Sequence, residues 1–135
     1  MQSRSSTMQA PDSVPQRLYQ ARSSLAQAAQ MIETGYEQTA VHRLYHACFC
    51  AVMAWLTQHE IPFNSHQAVR KQFKKYLWKA GFLSSEDRDL FEGLYAHRHA
   101  SDQTAVRDYS LGEVHHFWKG SEDFIEKIAD QVNLG

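Results

Sequence analysis

Between Glu37 and His59 the chain is apolar on one side and small on the other, which leaves little choice of fold. Val41, Leu44, Tyr45, Cys48, Val52, Trp55 and Leu56 recur with the i, i+3, i+4, i+7 rhythm of one helical stripe. The opposite side is not a solvated face, because Arg43, Ala47, Cys50 and Ala54 form a second ridge of mostly small residues. A helix with two packable sides sits at the centre of a bundle, or at the centre and also at a dimer interface. Pro62 ends the element.

The remaining segments read as helices that surround this one. The first starts at Pro15 behind the candidate caps Asp12 and Ser13, carries Leu18, Leu25, Ala29 and Ile32 at helical spacing, and stops at Gly35. A third runs from an N-cap at Ser65 to Gly81, with Val69, Phe73, Tyr76, Leu77 and Ala80 on its inner side. A fourth follows Ser84 and Ser85, with Glu86 and Asp87 favourably placed for the helix dipole. Leu90, Phe91, Leu94 and Tyr95 define its inner side. The fifth opens on a capping box, Ser110 to Glu113, and continues through Val114, Phe117, Trp118, Phe124, Ile125, Ile128 and Val132. No strand-like alternation and no internal repeat is present. The fold expected is all-α, an antiparallel bundle of four main helices with one shorter helix, over residues 15–135.

Length and composition agree with one domain. At 135 residues there is room for a single modest core. Residues 1–14 are Ser/Gln-rich, without helical pattern, and are expected to be a disordered tail. No run of about 18 apolar residues exists, so no membrane span is expected, and the N-terminus lacks the apolar centre of a secretory signal. Cys48 and Cys50 stand two apart on a helix, on nearly opposite sides, and read as small buried apolar residues rather than a disulfide or metal pair. A reducing, cytoplasmic location is the corresponding expectation.

Charge is divided along the chain. The formal net charge is -1, but Arg70, Lys71, Lys74, Lys75 and Lys79 cover one face of the third helix with no acidic residue between Ser65 and Gly81. Most of the acidic residues follow Gly81. Such a face is either solvated or a seat for a polynucleotide backbone. Eight histidines raise the question of a metal. His42 and His46 are one turn apart and could both reach one ion, but a third ligand would have to come from another helix. His97 and His99 diverge, as do His115 and His116. No metal site and no cofactor is expected.

Arg98 stands out. It falls on the stripe that Phe91, Leu94 and Tyr95 begin, where a charge is costly unless it is paired or faces a cleft. Asp102, one turn on, is a plausible partner in an ion pair. The functional alternative is a guanidinium offered to a phosphate, which its planar fork of donors suits.

The run Ala40-Val-His-Arg43-Leu-Tyr45-His46-Ala47-Cys-Phe49 resembles the R-x-Y-Y-A-x-F signature of the second helix of HEPN domains. Ser65-His66 followed by Val69 and Phe73 is similar to the family's next segment. Leu94 through Arg98, then Ser101-Asp102 and Asp108-Tyr109-Ser110, looks like its R-x-x-A-D-Y region. The resemblance spans about residues 17 to 132, and is nearest the small stand-alone HEPN proteins often encoded beside a minimal nucleotidyltransferase. It implies an antiparallel homodimer with a shared groove, and a role in a prokaryotic toxin–antitoxin or RNA-processing system. Active members use an Arg-x4-6-His motif to cleave RNA without a metal. Arg98 matches the arginine and His99 the polar residue that often follows it. The histidine does not match, because the three eligible positions hold Gln103, Thr104 and Ala105, and this departure argues against nuclease activity. His97, His99 or His66 could take its place in space. The site expected is Arg98, His99 and Asp102 for chemistry, with Arg43, His46, His66, Arg70, Lys74, His97 and Gln103 binding RNA or nucleotide. The alternative is a non-catalytic subunit that pairs with a nucleotidyltransferase partner.

Overall fold

In the computed structural model, residues 13–99 and 108–134 are described. They form five α-helices and, among these residues, no strand. Helix α1 (Val14–Glu33) starts one residue before Pro15, because Ser13 and Gln16 close a reciprocal capping box. Helix α2 (Glu37–Gln58) ends on Glu60, which takes a left-handed φ of 57° and lets Ile61 N–H donate back to the Leu56 carbonyl at 2.9 Å. Helix α3 (His66–Gln72) is followed by a wide π turn at Phe73–Leu77 and a 3₁₀ turn at Trp78–Ala80. Helices α4 (Ser85–Arg98) and α5 (Leu111–Leu134) complete the bundle. The first twelve residues of the expected tail, and Ser101, Asp102 and Gln103, lie outside the described residues.

Helix α2 is the axis of the molecule. It packs on α1, α4, α5 and the turns after α3. Both of its sides are used within one chain: the stripe from Val41 to Leu56 is buried, and so are Ala47, Cys50 and Ala54 of the second ridge. The small-residue ridge is therefore accounted for by the bundle itself and gives no argument for a second subunit. Arg43 is the exception, only half-buried at the edge of that ridge. Cys48 and Cys50 are free and buried, and burial pushes the Cys48 thiol up to about 12.

Segment 65–81 departs from the regular helix expected there. Ser65 caps it and Gly81 ends it with a φ of 88°, as expected. Between them the Trp78 N–H donates to the carbonyl of Phe73, five residues back. The reason lies in spacing. Val69, Phe73 and Leu77 are the buried residues of this segment, and a four-residue period overshoots the 3.6 of an α-helix. A widened turn keeps all three aimed at α2, while Tyr76 and Ala80, expected inside, turn outward.

Helix α4 is held at its start by a second reciprocal box. The Asp87 carboxylate accepts from the Ser84 N–H at 2.8 Å and from Lys127 of α5 at 2.6 Å. The expected box at Ser110 and Glu113 forms as well, at 2.8 and 3.1 Å. On α5, Trp118 donates to the Leu25 carbonyl of α1 at 3.0 Å. Among the described residues no helix is long and apolar enough to cross a membrane.

Candidate functional site

At one end of the bundle, the middle of α2, the start of α3 and the end of α4 bring Tyr45, His66 and His99 together. The Tyr45 hydroxyl lies 3.1 Å from His66 Nδ1 and 3.3 Å from His99 Nε2. It can donate to one ring and accept from the other, depending on their tautomers. Phe49 stacks on His66 with centroids 4.2 Å apart, and Tyr95 packs against His99 at 4.3 Å. Tyr45 itself is buried, while His66 is half-buried and His99 exposed, so the two rings reach the surface from a fixed phenol.

Arg98 is exposed at the C-terminal end of α4, where the helix dipole favours a cation. Of the two alternatives for it, an ion pair with Asp102 falls outside the described residues, and the exposure of its side chain is what a guanidinium facing solvent requires. Its charge acts on the cluster beneath it. Burial first, then His99 and Arg98, hold His66 below its ordinary value, and burial followed by Arg98 does the same to His99 and His42. Burial and Tyr95 raise the Tyr45 phenol against the opposing pull of Arg98. The result at neutral pH is two uncharged imidazoles on a protonated tyrosine, beside a permanent positive charge.

The other expected site residues are dispersed. His97 stacks between His42 at 5.0 Å and Tyr109 at 5.2 Å, a ladder next to the Tyr45 cluster. Gln38 pins Tyr109 through both of its backbone groups, at 2.7 and 2.8 Å. Arg70 is committed to Glu92 at 2.7 Å and lies over the Tyr95 ring at 5.0 Å, so its charge is largely answered. It supports the cluster from behind. Lys74 is exposed with Lys71 and Lys75 along an open cleft of about 640 Å³ on the outer face of α3. Arg43 and His46 face a different cleft, between α1 and α2, and only the charge of His46 is felt at His66. His42 and His46 thus do not converge, and among the described residues no three His, Cys, Asp or Glu side chains could hold one metal ion.

A family model for the HEPN domain matches residues 14–131. The chain belongs to the HEPN domain family. A UPF0332 protein of Thermotoga maritima is 25% identical over 112 residues, which cover 83% of this HEPN chain and 85% of that protein.

Three contributors to this HEPN site escaped the sequence reading. Tyr45 counted as one more apolar residue on α2, although its hydroxyl is the hub of the cluster. Tyr95 likewise counted only as core. Glu92, which fixes Arg70, carried no signal, because its ion pair spans 22 residues and two helices. The available clue was the polar atom itself: a tyrosine on a buried stripe needs a partner for its hydroxyl, and His66 and His99 are histidines at the ends of the flanking helices.

Proposed function

We propose that this HEPN chain binds the phosphate backbone of RNA, or of a nucleotide, at Arg98 over the Tyr45–His66–His99 cluster. The observation that carries this reading is the shared tyrosine hydroxyl, 3.1 and 3.3 Å from two imidazoles that both feel the charge of the exposed Arg98. Arg98 supplies the fork that phosphate oxygens accept from. Lys71, Lys74 and Lys75 extend the positive surface for a strand. In the setting implied by the family, the site lies in the groove of a homodimer, and the protein serves a toxin–antitoxin or RNA-processing system.

The cluster also has what metal-free RNA cleavage needs. A neutral His99 or His66 accepts the 2′-hydroxyl proton, and the 2′-oxygen attacks phosphorus. Arg98 offsets charge on the phosphorane, and the 5′-oxygen leaves with the proton that the imidazole took from the 2′-hydroxyl, which gives a 2′,3′-cyclic phosphate and restores the neutral ring. On this reading His66 and His99 stand in for the histidine absent at residues 103, 104 and 105. That absence favours the second reading, a non-catalytic subunit that contributes this pocket to a nucleotidyltransferase partner.

Tag-free protein incubated with a short RNA in chelator separates the two. Cleavage to cyclic-phosphate ends, abolished in Arg98→Ala and in His99→Ala, supports catalysis. Intact RNA that binds at least tenfold more weakly to Arg98→Ala supports the binding subunit. Equal binding by wild type and Arg98→Ala refutes both.

A further inference from the structure

The cleft between α1 and α2 has a different chemistry from the Arg98 end. It measures about 520 Å³, within the range of small-ligand sites. Arg17, Gln20, Ser23, Ser24, Arg43 and His46 line it, and among the described residues no aspartate or glutamate does. Two arginines therefore share one concavity on whose wall the described residues place no carboxylate. Arg17 is 1% exposed, with its guanidinium donating to the Met53 sulfur at 3.1 Å and standing 5.6 Å from the Phe63 ring. It belongs to the floor of the cleft.

Arg43 is the informative residue. Its Nε is buried and has no hydrogen-bond partner among the described residues. A buried donor left without a partner loses its hydration and gains nothing in return, more so when charged, so natural proteins seldom keep one without an occupant. The neighbouring groups are donors as well: the hydroxyls of Ser23 and Ser24 and the amides of Gln20 and Gln27. His46, at the rim, is held below its ordinary value by burial and then by Arg43, and its ring lies 3.5 Å from Cys50 Sγ. Positive charge, convergent donors and no acid define a seat for an oxyanion.

We propose that this cleft is a second anion site, distinct from the Arg98 groove, which takes a phosphate group through Arg43, with Ser23, Gln20 and His46 as further hydrogen-bonding partners. The phosphate can be free or can belong to a nucleoside monophosphate, which the cleft is large enough to hold. The site does not depend on the reading of Arg98, since none of its lining residues belongs to the Tyr45 cluster.

The test is calorimetric titration of the full chain with inorganic phosphate and, separately, with AMP. Saturable binding that weakens at least tenfold in Arg43→Gln but persists in Arg98→Ala supports the proposal. Equal affinity for both ligands identifies a free oxyanion, and tighter AMP a nucleotide phosphate. An NMR titration of His46 in the wild-type chain gives a second readout should Arg43→Gln fold poorly. A bound dianion answers the charge of Arg43, so phosphate should raise the pKa of His46. No binding, binding indifferent to Arg43, or binding lost in Arg98→Ala with His46 unmoved overturns it. If phosphate does not bind and Arg43→Gln breaks a dimer, the occupant is a carboxylate of a second copy and the proposal fails.

Discussion

The α1–α2–α5 side of this HEPN domain and its α3–α4 side are held together in different ways. On the first side, Ala21, Ala28, Ala40, Ala47, Cys50, Ala51 and Ala54 are fully buried, and backbones approach closely over small side chains. On the second, large rings and polar pairs span the gap. Phe91 reaches Phe73 at 4.6 Å and Phe124 at 5.7 Å, Arg70 pairs with Glu92, and Tyr45 holds two histidines. Close packing of small residues has one solution and tolerates little change. A lattice of rings and hydrogen bonds leaves edges open, and that is where His66 and His99 reach the surface beside the exposed Arg98. The first side is held by close contact of small residues, and the second holds the Tyr45–His66–His99 cluster.

Phe91→Ala should have the largest effect, because this fully buried ring ties α4 to the π turn and to α5. A loss of about 3–5 kcal/mol is expected from a Phe-to-Ala cavity, read as a chemical denaturation midpoint. If the second side is the looser one, amide exchange in this variant should rise in α3 and α4 before α1, α2 and α5. Uniform exchange would erase the distinction drawn above. Ala47→Leu asks the opposite question of the close-packed side, and overpacking there should cost about 1–3 kcal/mol. A neutral result would show that the side is not tightly filled.

Acid should act in two stages. His42, His46, His66 and His99 are all held below the ordinary 6.5, so the folded state resists protons that the unfolded chain accepts. Stability present above that value is lost as pH falls through it. Burial alone would raise the Asp87 carboxyl, but Lys127 and Ser84 outweigh it and hold it below its ordinary value, so a second loss follows at lower pH. Asp87→Asn should cost about 1 kcal/mol at neutral pH, in line with a lost helix cap, and should flatten the second stage while leaving the first. Thermal melts across pH read both.

Helix positions were legible in the sequence where capping chemistry and period agreed. Ser13, Ser65, Ser84 and Ser110 all cap the helices expected of them, and α2 is the two-sided helix its pattern describes. The π turn was not legible, because its cause is a four-residue spacing that only contact with α2 makes binding. Arg17 on the buried side of α1 was missed for the same reason: a charged residue is counted as exposed until a sulfur and a ring across the interface are known. Arg98 stood out as a charge on an apolar stripe, and His66 and His99 were named with it through the family resemblance; that the Tyr45 hydroxyl joins the two rings was not legible, since they lie 21 and 54 residues from it. Spacing along one helix carries no information about which helix ends converge.

Arg98 adds its charge to burial in holding the histidines of the Tyr45–His66–His99 cluster below their ordinary value. Histidine titration by NMR in wild type and Arg98→Ala tests this without any ligand. With the guanidinium removed, His42, His66 and His99 should titrate at higher pH, towards 6.5, while His46, which answers to burial and Arg43, should not move. If His66 and His99 shift no more than His46, Arg98 does not govern the cluster, and the site proposed around it is contradicted.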